Sequence, residues 1–347
     1  MDAVLTALVE DRIGPGDQGR LLVQFAREKL EFDYCLALRS PAVALFTALK
    51  SLGLEEGQGV IISALSPLYY QNVLDDLKLK AVYADVHPGT PNISHETAKK
   101  ALESVSAGTD VKAVILHHTL GYIPDSASIC GLGLPLIEDC SLSYGLRNPV
   151  KNSAAIPANN IVLSILGLEE RDMLTAGGGA LLFAGSRRDA AGLRSFGNLP
   201  PEYGLPDMNA AMGLAQFRGA VKNLARRQEI AAVYKKAAAG SRHKCFVQES
   251  GNSGTADDSE QEESEYNNYA FSLILESGMK EVKAYAKRRE IIVESAFENT
   301  PAGTGIVPSE KCPQAWSLSL RTVLFPLYPR LHSEEVEKVS RLISTLP

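Results

Sequence analysis

The sequence predicts an α/β protein in which a mainly parallel sheet is covered by helices on both faces. Between about residues 33 and 190, short apolar runs such as GVIISAL and VKAVILHHT alternate with amphipathic stretches. Uniformly apolar runs of this length are typical of strands buried on both faces, and the intervening helices provide the cover. From about residue 207 the pattern changes to one long helical stretch that ends near Gly240. A large α/β domain is therefore expected to be followed by a smaller unit.

We predict two domains, a large one over 1–235 that includes the N-terminal segment and a small α+β one over 236–347. In the first domain, apolar spacing predicts an amphipathic helix over 18–30. In the second, helices in MKEVKAYAKRR and SEEVEKVSRLIS alternate with strands in REIIVES and TVLFPLY. The segment 251–265 has six acidic and no basic residues, which predicts an exposed loop, with a functional acidic segment as the alternative.

Composition and charge exclude several classes of protein. The 347 residues are 45% hydrophobic, which is enough to build a core without disulfides, and the net charge of −6 disfavours nucleic acid as a partner. The five cysteines are odd in number and include no CxxC pair, so reduced thiols and no metal site are expected. The start of the chain lacks the basic flank of a signal peptide, and no apolar run is long enough for a membrane helix. A cytoplasmic protein without membrane contact is predicted.

Several segments, in order along the chain, resemble motifs of the DegT/DnrJ/StrS-type sugar aminotransferases. The segments that carry the resemblance are RSPAVALFTALKSLGL, GVIISALSPLYYQNVL, VYADVHPGTPNIS, VILHHTLGYIPD, PLIEDCSLSYG, LTAGGGALLF, PDMNAAMGLAQF and FPLYPRLHSEEVEKV. The resemblance implies a fold type I enzyme that uses pyridoxal phosphate (PLP). It also implies a mainly parallel seven-stranded sheet between helices, a small C-terminal domain, and a homodimer with the pocket between subunits. The implied reaction is amino transfer to a keto-sugar nucleotide.

The resemblance also assigns candidate site residues. Asp139, at the end of a strand, matches the aspartate that pairs with the pyridine nitrogen of PLP, with a turn-capping aspartate as the alternative. His118 matches a family histidine and is the candidate base, whereas His117 is expected to point away; a structural role for His118 is the other reading. The remaining candidates are Ser40 and Ser164 for the cofactor phosphate, and Tyr69 and Tyr70 in place of the family's ring-stacking aromatic residue.

The sequence departs from the family at the positions that hold and activate the cofactor. Counting back from the glycines at 177–179, the Schiff-base lysine position falls on Arg171, and no lysine occurs between 152 and 176. A guanidinium stays protonated and cannot form an imine. Pro41 replaces a phosphate-binding position, and the family's NYR segment reads EYG at 202–204. The parts that bind PLP are therefore changed, while the motifs that build the scaffold are kept.

Two functions from different classes follow from these departures. The first is a divergent homologue without ordinary transaminase activity, whose former active site binds a nucleotide sugar, another small ligand or a partner such as an active paralogue. The alternative is an aminotransferase or dehydratase that uses PLP or pyridoxamine phosphate (PMP) on a keto-sugar nucleotide with an unusual base. An amine from elsewhere, such as Lys151 or a lysine of a partner subunit, would then be needed. A structural partner that completes a heterodimer's site is the third hypothesis.

Overall fold

A seven-stranded sheet forms the centre of the protein in the computed structural model, which describes residues 2–9, 11, 13–106, 108–145, 161–195, 199–247 and 266–347. The strands are β1 (Tyr34–Leu38), β2 (Gly59–Ser63), β3 (Lys80–Ala84), β4 (Val111–His117), β5 (Leu136–Asp139), β6 (Ile161–Gly167) and β7 (Ala180–Ala184). Their order is β1-β7-β6-β5-β4-β2-β3. β7 runs antiparallel to both of its neighbours, and the other pairs are parallel. The predicted mainly parallel sheet is confirmed.

Eight helices accompany this sheet in the described residues. They are α1 (Asp2–Val9), α2 (Asp17–Leu30), α3 (Pro41–Ser51), α4 (Tyr69–Asp76), α5 (His95–Glu103), α6 (Ser126–Cys130), α7 (Arg187–Arg194) and α8 (Asp207–Ala238). The helix predicted over 18–30 is α2, and the long helix predicted from 207 is α8. α3 begins where its sequence indicates, because the Ser40 hydroxyl accepts a hydrogen bond from the Val43 N–H and proline occupies the first helical position.

The two faces of the sheet have different cores. On the front face, which we define as the side of α3, α4 and α7, the buried side chains include Leu45, Leu74 and Ile137. On the back face, the side of α2, α5, α6 and α8, they include Leu116 and Phe183. Because side chains alternate along a strand, residues next to each other in β5 project to opposite faces.

The C-terminal part of the chain, residues 266–347, which we call the small domain, contains a three-stranded antiparallel sheet. Its elements are β8 (Phe271–Ile274), α9 (Met279–Lys287), β9 (Glu294–Ser295), α10 (Pro313–Arg321), β10 (Thr322–Phe325) and α11 (Ser333–Ser344), and β10 is the central strand. The strand predicted in REIIVES is reduced to the two residues of β9. Only Glu294 and Ser295 pair with β10. The backbone N–H of Ala296 donates one further hydrogen bond to the Thr322 carbonyl oxygen.

The last turns of α8 belong to the core of the small domain. Ile230 and Tyr234 are buried together with Phe271 and Val323, so the boundary predicted at 235 falls inside a continuous helix. The division into 1–235 and 236–347 stays a prediction. The acidic segment 251–265 and Lys151 lie outside the described residues. In the part of the chain that the structure describes, no helix combines the length and apolarity that crossing a membrane requires.

Candidate functional site

A pocket of about 870 Å³ lies at the carboxyl ends of the central strands, where the small domain closes over the sheet. Ligands of open α/β sheets bind at this edge because the loops that follow the strands converge there. The large domain contributes the ends of β4, β5 and β6, and the small domain contributes α9 and the segment 293–300. Lining residues with chemical function include Tyr69, His117, Asp139, Ser141, Glu169, Arg171, Asp172, Lys283 and Glu294.

Asp139 ends β5 and lies at the floor of this pocket, as predicted for the residue at the end of that strand. The Tyr70 hydroxyl donates to Oδ2 at 2.7 Å and the Tyr69 hydroxyl donates to the same oxygen at 2.8 Å. Oδ1 accepts from the backbone N–H of Ser141 at 3.0 Å and from the Ser141 hydroxyl. An ionised carboxylate offers about four acceptor sites. Four donors from this chain therefore satisfy Asp139.

Tyr69 and Tyr70 reach Asp139 from the first turn of α4. Their rings meet edge to face with centroids 4.9 Å apart, and Tyr70 is completely buried. Burial, followed by the charge of Asp139, raises the pKa of both hydroxyls well above the usual range, so both remain protonated donors. The two tyrosines were predicted as substitutes for a ring-stacking residue, and their hydroxyls instead bind the carboxylate.

The two adjacent histidines have the reverse of the predicted orientation. In the sheet His117 is in register with Asp139 and lines the pocket, whereas His118 is buried on the back face, where its Nδ1 lies 2.7 Å from the Ser143 hydroxyl. The hypothesis that His118 is the base in the site while His117 points away is therefore wrong, and the structural reading of His118 agrees with its buried position. The physical reason is the alternation of side chains, since a shift of one residue moves a side chain to the other face. Burial lowers the pKa of His118 to about 3 and also lowers that of His117.

The two predicted phosphate serines are not equivalent. Ser40 caps α3 beside Pro41, which lines the pocket, but its hydroxyl oxygen already accepts from the Val43 N–H. Ser164 is in register with Glu138, on the back face of the sheet and away from Asp139. A role for Ser164 in holding a phosphate in this pocket is therefore contradicted, again because of the alternation along the strand.

Arg171, which occupies the lysine position of the resemblance, extends across the mouth of the pocket. Its guanidinium binds the carboxylate of Glu294 in the small domain, with an Nη1 to Oε2 distance of 2.9 Å, and its side chain is 71% exposed. Lys283 of α9 is the lysine among the described lining residues. The pocket therefore has an amine on the small-domain side rather than after β6.

Asp172 is a functional candidate that the sequence analysis missed. It follows Arg171, lines the pocket, and accepts a hydrogen bond from the Glu169 N–H at 2.7 Å. Burial raises its pKa to about 7, and the charges of Asp139 and Glu169 add to this effect. A carboxyl group with a pKa near neutrality can exchange protons with a bound ligand. The acidic run LEERD after an apolar strand was the available sequence signal.

The match to a protein family covers almost the whole chain. The model of the DegT/DnrJ/EryC1/StrS aminotransferase family matches residues 1–344, so the chain belongs to this family.

Solved structures agree with this assignment at the level of the fold. An aminotransferase TlmJ from Streptoalloteichus hindustanus has a TM-score of 0.80 at 19% identity, covering 99% of this chain and 94% of the other. The putative sugar aminotransferase Spr1654 from Streptococcus pneumoniae, in its PMP form, has a TM-score of 0.83 at 15% identity, with coverage of 99% and 95%. DesV from S. venezuelae, in complex with a ketimine intermediate, has a TM-score of 0.79 at 19% identity, with coverage of 99% and 92%. At these identities the similarity establishes the fold.

Proposed function

We propose that this chain is a member of the aminotransferase family that binds a small sugar-like ligand in its pocket and does not carry out ordinary PLP-dependent transamination. The observation that carries the proposal is that the Asp139 carboxylate already accepts four hydrogen bonds from this chain. Solved structures with this fold include PLP and PMP forms of Spr1654. Whether the residues of this chain fit PLP therefore decides between the two functions.

The cofactor's pyridine nitrogen does not fit Asp139 as the residues stand. PLP works as an electron sink when its ring nitrogen is held protonated by a carboxylate. Here Oδ2 already accepts from Tyr69 and Tyr70. An incoming ring would have to displace one of these hydroxyls. Tyr70 is completely buried, and leaving such a donor unpaired costs roughly 1–3 kcal/mol.

The covalent attachment of the cofactor does not fit either. A guanidinium replaces the amine at the position that matches the Schiff-base lysine, and Arg171 is held by Glu294 on the opposite side of the pocket. Pro41 removes an N–H donor at the start of α3, where the resemblance places the phosphate. Both changes weaken the binding of PLP, the first at its aldehyde carbon and the second at its phosphate.

The charge of the pocket also disfavours phosphate groups. Its described lining contains six carboxyl residues, Asp139, Glu169, Glu170, Asp172, Glu294 and Glu298, against two basic ones, Arg171 and Lys283. Carboxylates raise the free energy of a bound phosphate by repulsion, whereas hydroxyl and amino groups donate to them. We therefore expect a neutral or amino sugar to bind more tightly than a nucleotide sugar, whose diphosphate would have to lie outside this part of the pocket.

One observation favours the alternative of a cofactor-dependent enzyme with an unusual base. Lys283 reaches the lining from α9, and His117 and Asp172 lie in the same pocket. Lys283 would supply the missing amine, and Asp172, with its raised pKa, would exchange protons with the substrate.

The test is a titration of the purified chain with PLP, read by visible absorption, followed by borohydride reduction and peptide mapping. Lys338, an exposed lysine outside the pocket, reports non-specific labelling. We expect no more adduct on Lys283 than on Lys338, and no thermal stabilisation by PMP. A selective adduct on Lys283 that is lost in Lys283→Ala, or stabilisation by PMP, would overturn the proposal and support the alternative.

The ligand class is tested on the same sample by thermal shift with a neutral hexose, an amino hexose and a UDP-sugar. Stabilisation by the amino hexose that Asp172→Asn weakens is the expected result. Stabilisation by the UDP-sugar alone would contradict the charge argument. We also propose the homodimer implied by the resemblance, and sedimentation of the same sample measures it.

A further inference from the structure

A second group of functional side chains lies directly behind the pocket, on the back face of the sheet. His118, Glu138 and Cys140 are buried there, and each offers one ligand atom within 4.8 Å of the others. We refer to these three residues as the His-Glu-Cys cluster. None of them is among the residues that line the pocket, so the function proposed above makes no use of the cluster.

One ring nitrogen of His118, Nε2, faces the cluster. The Ser143 hydroxyl lies 3.3 Å from the Cys140 carbonyl oxygen and donates to it, so its oxygen is free to accept from the N–H at Nδ1 of His118 at 2.7 Å. In the tautomer with the proton on Nδ1, the lone pair lies on Nε2, 3.9 Å from Cys140 Sγ. A ring nitrogen that is oriented by a hydrogen bond from the other nitrogen is the usual state of a metal-binding histidine.

Glu138 supplies an oxygen that lacks a partner. Its Oε1 accepts from the Ser126 hydroxyl, but among the described residues Oε2 has no hydrogen-bond partner although it is buried. The same holds for the hydroxyl of Ser164, the register neighbour of Glu138 on β6. Buried polar atoms without partners are rare, and each one requires an explanation such as a bound ion.

We propose that the His-Glu-Cys cluster binds one divalent metal ion of borderline softness, with Zn²⁺ as the best match. Imidazole nitrogen, thiolate sulfur and carboxylate oxygen are the three ligand types that zinc takes in proteins. Zn–S and Zn–N bonds of about 2.3 and 2.1 Å at a tetrahedral angle place the two ligand atoms about 3.6 Å apart. The observed 3.9 Å between Sγ and Nε2 is close to this value. The cluster supplies three protein ligands, and a fourth position would be left for water.

The ion would have a structural role. It would connect the residue after β4 with the end of β5 and the following turn, which are neighbours in the sheet. Binding releases the proton of the Cys140 thiol, because the thiolate is the form that coordinates. Since the three ligands are buried, the ion must enter during folding.

The experiment therefore refolds the full chain from guanidinium in the presence of Co²⁺, a spectroscopic substitute for Zn²⁺. The exposed Cys245 is replaced in all samples by Cys245→Ser, so that it cannot bind metal. We expect one Co²⁺ per chain, a near-ultraviolet band from thiolate-to-Co²⁺ charge transfer, and loss of that band when Zn²⁺ is added. A folded chain that shows no such band, or that releases all Co²⁺ on desalting, would overturn the proposal without any variant.

Variants then assign the ligands. Cys140→Ser should abolish the charge-transfer band, and the nearly isosteric Glu138→Gln should lower the affinity for Co²⁺ by roughly tenfold or more. Cys312→Ser, at a buried thiol outside the cluster, is the matched control and should leave both unchanged. Retention of the band in Cys140→Ser would show binding elsewhere and contradict the proposal. If Cys140→Ser does not fold, Glu138→Gln decides, and unchanged affinity in that variant contradicts the assignment.

Discussion

Asp139 and Glu138 are adjacent in β5, yet their environments are opposite. Asp139 faces an open pocket, and its carboxylate accepts hydrogen bonds from four donors of the chain itself. Glu138 faces the packed core, and only one of its oxygens has a partner among the described residues. Both residues are 1% exposed, yet the one at the pocket is satisfied and the one in the core keeps free acceptor capacity. Exposure to a pocket does not by itself make a carboxylate available to a ligand.

The largest expected effect comes from exchanging each carboxylate for its amide. In Asp139→Asn the new NH₂ faces two donors, because both oxygens of the carboxylate are in use. We expect a loss of about 3 kcal/mol in the free energy of unfolding. In Glu138→Gln the NH₂ can take the position of the unpartnered oxygen, and the change should stay below about 1 kcal/mol.

Urea unfolding of both variants in metal-free buffer with chelator measures these changes. Equal losses for the two variants would remove the distinction between the faces of β5. A loss only for Glu138→Gln would reverse it.

The next effect in size is the pH dependence contributed by Asp172. Its folded pKa of about 7 is above its ordinary value of 3.8, so the folded state binds this proton more tightly than the unfolded state. The stability contribution is therefore present at low pH and is lost as the pH rises from about 4 to about 7. Allowing for partial exposure, the loss is about 2 kcal/mol.

Asp172→Asn should flatten this part of the pH profile, because asparagine does not titrate. Its amide oxygen can still accept from the Glu169 N–H. The difference between the unfolding free energies of wild type and variant, measured across this pH range, isolates Asp172 from other groups. A difference that does not vary with pH would show that Asp172 has the same pKa in the folded and unfolded states.

A smaller effect is expected when one tyrosine hydroxyl is removed from Asp139. Tyr70→Phe should destabilise the fold by about 1 kcal/mol, the usual net value of one hydrogen bond. Tyr69→Phe should cost less, because Tyr69 lies at the pocket, and it should free one acceptor site on Oδ2. If saturation of Asp139 excludes the cofactor, Tyr69→Phe will bind PMP more tightly than wild type by thermal shift, and Tyr70→Phe serves as the matched comparison.

The smallest effect concerns the ion pair between Arg171 and Glu294. Both side chains are substantially exposed, at 71% and 46%, and exposed pairs contribute little. Arg171→Ala should therefore change the free energy of unfolding by less than about 0.5 kcal/mol. Chemical denaturation at low and at high salt checks this, and a loss of 2 kcal/mol or more would show that the pair holds the small domain against the large one.

The scaffold could be predicted from the sequence because its signals are local and repeated. Apolar runs predicted the strands, and α2 and α8 began within a residue of their predicted positions. The short strand β9 was less predictable, because the apolar run REIIVES pairs with β10 over only two residues. Pairing depends on where the partner strand runs, and that information is not contained in the segment itself.

The candidate site was predicted in part. The position of Asp139 follows from its place at the end of an apolar run, but the donors that saturate it come from α4, about seventy residues earlier. The orientations of His117 and His118 depend on the register of β4 with β5, which a single sequence does not reveal. The His-Glu-Cys cluster was missed for the same reason, because its members have no motif spacing and meet only through the sheet.

The helix α8 has a consequence for how the protein unfolds. Its 32 residues extend for about 48 Å, with Phe217 packed in the back-face core and Tyr234 in the core of the small domain. Melting the whole helix would expose apolar surface in both cores. The two domains should therefore denature in a single cooperative transition, and a cut in the middle of α8 would leave two fragments that each lack part of their interior.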